Sequence, residues 1–296
     1  MCQSTFQAVI KMAKYNLIVY SLIAIVIVLI IANVYLLNSN LSITSQKESL
    51  ATKQEMSNLL TQVKTALDSE LEQVDLDIQS ACQQLSTVNF GSSQVRAILS
   101  ALVDNNSFIK SASLEVDGIL VAVEPEERSY IEGSDVTNQE QTIRLRQTLR
   151  PVMSNQIKLV ENIYGVVMAA PIFNNDKTFV GAVTIVIEPN QLINQTITSI
   201  YNGADYTFMG IQVDGLVLYD VDQAQIGTET LSNPVFQGFP DLLATCQRMA
   251  TEKAGYSTYE FKPSLASSDV ISKELFWVTI EIYGTEWRLA IIHALS

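Results

Sequence analysis

The chain has 296 residues, 48% of them hydrophobic, enough for one large or two modest folded domains and too many for general disorder. With 31 acidic against 18 basic residues, a formal net charge of −13 and no Lys/Arg-rich run, it lacks the basic surface a nucleic-acid backbone requires. Nucleic acid is excluded as a partner.

Residues 1–16 contain Lys11 and Lys14 and no acid, and lead into "LIVYSLIAIVIVLIIANVYLL", Leu17 to Leu37, 21 residues without a charge. At about 1.5 Å rise per residue this run covers the roughly 30 Å hydrocarbon core of a bilayer. It is longer than the apolar region of a signal peptide, and "VYLLNSN" offers no small-residue cleavage pattern, so 17–37 reads as a transmembrane helix retained as an anchor. The next charge is Lys47, and the positive-inside bias therefore puts 1–16 in the cytoplasm and everything after Leu37 outside the cell. Three N-x-S/T triplets, at Asn40, Asn105 and Asn194, agree with that side weakly. Cys2 falls inside. Cys82 and Cys246 fall outside, too isolated for a disulfide framework or a zinc site, and read as buried free thiols.

Residues 38–106 are helical in pattern. Met56, Leu60, Val63, Leu67, Leu71, Val74, Ile78, Ala81 and Leu85 recur in steps of three or four along one face, with no proline between Gln46 and Ser86. The steps do not hold a strict heptad, which favours a long helix laid along its own globular domain over a coiled-coil seam. "NFGSSQ" breaks it, and Val95 to Val103 forms a second short helix.

From Ser107 the period becomes that of strands. "FIKSASLEV" and "ILVAVEP" flank Asp117-Gly118 as a hairpin; "TNQEQTIRLRQTLRPV" is a helix with Thr137 as its cap and Pro151 as its stop; "YGVVMAAPIF" and "FVGAVTIVIEP" are paired strands. A linking helix, "NQLINQTITSIYNG", ends at Gly203, and the order starts again. "YTFMGIQV", Asp214-Gly215 and "LVLYD" are followed by the helix "FPDLLATCQRMATEKAG" and the strands "YSTYEFK", "KELFWVTIEIYG" and "EWRLAIIHAL". Two like units in tandem, each with a sheet of about five strands, define an α+β architecture.

This order resembles the double Cache family of extracellular sensor domains, whose modules are PAS-like, and the resemblance covers nearly the whole region beyond the apolar run. The first unit's "GSDVTNQEQTIRLRQTLRPVMS" and "VVMAAPIFNNDKTFVGAVTIVIEP" look like the family's helix and strand pair; in the second, "DGLVLYDVDQAQIGTET" and "GTEWRLAI" resemble its hairpin and closing segments. Methanogen-type standalone Cache proteins, archaeal members, come closest. The resemblance implies a membrane-distal module at 107–200 and a membrane-proximal one at 201–296. It also implies a small-molecule pocket in the distal module, between sheet and crossing helix. It does not extend to the family's amino-acid-binding subset, because Gln139, Gln141 and Val186 stand where that subset has an arginine with aromatics and a final aspartate.

The polar side chains left in that region are Arg144, Arg146, Ser154 and Tyr164, and a guanidinium in a cleft suits a carboxylate or another anion. Arg144 and Arg146 sit two apart on the helix, so at most one points inward, and a solvated face is the competing reading for each. Asp220 and Asp222 end a hairpin strand; Gln223, Ala224 and Gln225 lack the alternating acids and the glycine of a calcium loop, so no metal is expected there. Trp277, Tyr283 and Trp287 crowd the last hairpin and read as sheet packing rather than a ligand platform. The single histidine, His293, has no nucleophile beside it, and Ser107 to Lys110 spells S-x-x-K without its companion motifs, so neither catalysis nor a cofactor is expected. The reading is a membrane-anchored extracytoplasmic sensor or binding protein for a small organic solute, anionic if an arginine faces it. With about 16 residues inside, it lacks a cytoplasmic signalling domain of its own and passes its state to a partner protein. The alternative is a structural or interaction component of the cell surface with no small ligand.

Overall fold

A computed structural model of the chain describes residues 2–160 and 162–295, with side chains from Val28 onward. Lys11, Lys14, Cys2 and the first part of the apolar run thus have side chains outside the described residues. The chain divides into two units, Met1–Glu55 and Met56–Ser296. Helix α1 runs Cys2–Leu85, and its described part from Val28 includes a stretch long and apolar enough to cross a membrane, none of it buried by protein.

In the second unit all nine stripe residues of α1, from Met56 to Leu85, are at most 2% exposed. They share one core with α2 (Ser93–Asp104) and with strands of both sheets, which is why the stripe follows the 3.6-residue period of a helix on a globular surface. The first sheet has the order β2-β1-β5-β4-β3, from β1 (Ile109–Val116), β2 (Ile119–Glu124), β3 (Val152–Lys158), β4 (Tyr164–Phe173) and β5 (Phe179–Ile187). After α4 (Pro189–Ile200), the second has the order β7-β6-β10-β9-β8, from β6 (Tyr206–Gln212), β7 (Val217–Asp220), β8 (Ala254–Phe261), β9 (Ile271–Ile282) and β10 (Thr285–Ala294). Neighbours within each sheet are antiparallel. A crossing helix lies between second and third strand of each unit: α3 (Glu140–Thr148) and α5 (Pro240–Thr251). The fold is that of two tandem PAS-like modules of the Cache type.

The first hairpin turns on Asp117 and Gly118, both left-handed at φ 53° and 83°. A Cβ on Gly118 would come 2.1 Å from the Thr137 hydroxyl oxygen. Thr137 therefore does not cap α3, contrary to the sequence reading. It packs over the turn while its N–H donates to Asp135, and the helix starts later, with Gln139 at the N-cap. The helix also ends before Pro151, at a left-handed Leu149 (φ 51°), so that Val152–Lys158 forms β3, a strand the sequence reading leaves unassigned.

Candidate functional site

Strand alternation sorts the first sheet into two unlike faces. Along β1, Ala112, Leu114 and Val116 turn to the α1 core, and the residues alternating with them, Ser111, Ser113 and Glu115, point the other way. All three are buried, Glu115 to 1% exposure. On this second face, covered by α3, the apolar residues form only small separate clusters, one with Leu145, Val152, Ala169 and Ala182 and another with Leu159, Val167 and Val186. Between them runs a polar belt: Ser113 and Thr184 hydroxyls lie 2.6 Å apart, and buried Ser154 donates to Asn155 O and accepts from Val167 N.

Arg146 closes the belt from α3. Its Nη2 donates to Glu115 Oε1 at 2.7 Å, the guanidinium sits 5.9 Å over the Phe179 ring, and Glu115 also accepts from Gly118 N. The pair is asymmetric, with side-chain exposures of 30% for Arg146 and 2% for Glu115. Two buried polar atoms of α3 have no hydrogen-bond partner, the donor Arg146 Nε and the acceptor Gln141 Oε1. Unsatisfied buried groups are costly and rare, so each calls for a reason.

The other residues singled out from sequence have different places. Arg144 donates to Glu140, to Met153 O and, at 2.9 Å, to Tyr283 O in the β9–β10 turn, joining α3 to the second sheet. Tyr164 is 64% exposed at the start of β4. The arginines do part company, one toward the belt and one toward the module junction. Glu115, Ser111 and Ser113 are absent from the sequence reading, although the alternation in "KSASLEV" contains all three, and Gln141 enters it only as a departure from the amino-acid-binding subset.

The second module is built otherwise. The α5 face of its sheet is one apolar cluster that includes Phe236, Leu242, Cys246, Phe261 and Trp277. Trp277 and Trp287 are buried to 1% and 2%, as core aromatics, and His293 pairs with Glu274 at 3.1 Å. Cys82 and Cys246 are free and buried, and burial pushes their thiols up to about 12 and about 11. Asp222 accepts from Ala224 N and Leu265 N; Asp220 accepts from Asp222 N and Gln225 Nε2, both on Oδ1. The two acids organise a turn. Among the described residues no group of three or more His, Cys, Asp or Glu could hold a metal.

Residues 69–189 match the family model of the HK/GC/chemotaxis protein-like sensor domain. No curated protein sequence matches. Among solved structures, an extracellular ligand-binding receptor from Desulfohalobium retbaense is 28% identical, with a TM-score of 0.68 over 81% of this chain; the match covers 40% of the receptor chain, so this chain spans well under half its length. The ligand-binding domain of the Pseudomonas aeruginosa amino acid chemoreceptor PctB, in complex with L-Arg, is 16% identical with a TM-score of 0.60, covering 81% of this chain and 94% of that one. That of PctC with GABA is 14% identical with a TM-score of 0.59, covering 81% and 99%. The similarity is thus to sensor and ligand-binding domains.

Proposed function

We propose that this chain is an extracytoplasmic sensor that binds a small organic solute, without changing it chemically, against α3 of the first module. The observation that carries this reading is the polar belt of buried Glu115, Ser113 and Ser154 with half-buried Thr184 and Arg146, in which Arg146 Nε and Gln141 Oε1 are unengaged. A face kept for stability alone is served as well or better by apolar packing. Ligand sites fix orientation and specificity with a small number of placed polar groups, and a buried carboxylate beside an uncommitted donor and acceptor supplies such groups.

Arg146 is the proposed anchor for a carboxylate, which its planar fork would bind in exchange for or beside Glu115. L-Arg and GABA, bound by the two chemoreceptors of like fold, both carry one. Ser154 supports the belt through its hydroxyl. Arg144 serves as the coupling group, since α3 movement would reach Tyr283, whose phenol is held well above its usual range by burial and by Asp75 of α1. In this reading the run 17–37 anchors the chain, residues 1–16 are cytoplasmic, the bulk is outside, and a partner protein receives the signal. The likeness to methanogen-type members belongs to the same proposal and rests on the quoted motifs.

The test is calorimetric titration of the full chain in nanodiscs with acetate, butanoate, GABA and a panel of amino acids, backed by thermal unfolding, where a ligand at 100 times its Kd adds about 2.7 kcal/mol. Saturable binding that Arg146→Gln weakens by about tenfold or more and Arg144→Gln leaves intact is the expected result. Equal affinity in Arg146→Gln removes that residue from the site. Chemical turnover of the bound compound overturns the non-enzymatic reading, and silence across the panel favours the structural surface component.

A further inference from the structure

The second module encloses a cavity of about 200 Å³ between the α5 face of its sheet and the segment that joins β8 to β9. Its walls are Met209, Phe236, Leu242, Cys246, Tyr259 and Phe261, and its polar groups include Asp220, Lys273 and, at the exposed rim, Asp205. An apolar cavity of 150 Å³ accommodates benzene, so this one takes a slightly larger molecule. Asp220 is 5% exposed, at the end of β7. We propose that this cavity is a second binding site, for a small organic ammonium ion with an apolar body, held at its charged end by Asp220.

Three features carry this. First, the turn does not need a carboxylate. Both hydrogen bonds that the Asp220 side chain accepts fall on Oδ1, and an asparagine would accept them equally well. The second oxygen is what distinguishes aspartate here, and the carboxyl lines the cavity. Second, the cation already present is engaged elsewhere: Lys273 donates to Lys262 O at 2.8 Å and lies 5.5 Å from the Phe261 ring. It forms no ion pair with Asp220 among the described residues, and two carboxylates against one ammonium leave the lining net negative. Third, burial above all, with a smaller push from the Asp222 charge, lifts the Asp220 carboxyl to about 6, against the N–H of Asp222 and the charge of Lys273, which both pull it down. A carboxylate kept in such a place gains more from a desolvated cation than a surface one does. The segment that joins β8 to β9, which contributes Pro263 to the lining, is pinned by Leu265 N donating to Asp222 Oδ2 at 2.7 Å.

The test uses the full chain in nanodiscs with n-butylammonium and cyclohexylammonium chloride as probes and butanoate and cyclohexanol as controls, read by saturation-transfer NMR and calorimetry. An ammonium probe should bind saturably. Asp220→Asn, which keeps both turn hydrogen bonds, should weaken it by about tenfold or more, the scale of a charge-assisted hydrogen bond. Cys246→Met, which leaves the carboxylate in place and fills the cavity, should weaken it as well, whereas Arg146→Gln should not. Failure of both ammonium probes to bind the wild-type chain, or undiminished binding of them in Asp220→Asn, would each overturn the proposal and leave the first-module reading untouched.

Discussion

Replacing Arg146 by methionine removes the counter-charge of a carboxylate that is itself almost wholly buried. Arg146 and Glu115 are 2.7 Å apart, but only the glutamate is fully withdrawn from water, so the loss should fall below the 3–5 kcal/mol range for breaking a fully buried pair, at about 2–3 kcal/mol. Glu115→Gln keeps an acceptor for Gly118 N while discharging the site, and is expected to be milder. The double variant removes both charges, leaves no buried charge without its counter-charge, and should be more stable than the sum of the single effects by about 2 kcal/mol. Urea unfolding of the full chain in nanodiscs, followed by circular dichroism, measures all four corners of the cycle. Additivity within about 0.5 kcal/mol would show that the two side chains do not depend on one another, and would refute the polar-belt reasoning at its centre.

Leu71→Ala, in the α1 stripe, should destabilise the chain by about 2–5 kcal/mol by opening a cavity in the core shared by both sheets, as judged by denaturant midpoint. Gly118→Ala should cost more than about 1 kcal/mol, since it meets both the φ of 83° and the Thr137 hydroxyl; an unfolding midpoint equal to wild type would contradict this. Asp220 has a folded-state value of about 6 against an ordinary 3.8, so the folded chain holds the extra proton, and stability should fall as pH rises through that window by on the order of 3 kcal/mol. Asp135 and Glu286, held low by their partners, work in the opposite direction, so the readout is the difference between wild type and Asp220→Asn across pH 4–6.5.

The long helix and the hairpins are legible in the sequence because their signals are local: a 3.6-residue stripe, Asp-Gly turns, apolar alternation. Strand β3 was not, since "VMSNQIK" has its polar Ser154 turned toward the belt, and inward polarity blurs the alternation by which strands are recognised. Thr137 had the chemistry of a cap and was claimed by a contact with Gly118, nineteen residues earlier, that no local pattern reveals. At the candidate site Arg146 was visible as one of two arginines, but its partner lies on β1, and the choice between Arg144 and Arg146 depends on what each meets across the fold. Asp220 was posed as metal ligand or turn former; the cavity beside it is assembled from β6, α5, β8, β9 and β10 and has no signature in any one of them.

The two modules share a strand order and differ in what fills the space under the crossing helix, and this difference bears on how a bound solute would be felt elsewhere. Apolar contacts are non-directional and tolerate small sliding, so the α1 stripe by itself fixes the helix's position weakly along its axis. Directional polar contacts set register. Arg144 stands two residues before Arg146 on a nine-residue helix, so a ligand that draws Arg146 from Glu115 would pull on the carbonyl of Tyr283 as well. Tyr283 and Gly284 are both left-handed, at φ 52° and 80°, in a tight turn with little room to absorb displacement. The Tyr283 ring in turn lies beside Asp75 on α1. A discrete exchange of partners at Arg146 thus has a polar route to the long helix, and a packed interface that shifts between two arrangements is the form in which such small displacements are carried over distance.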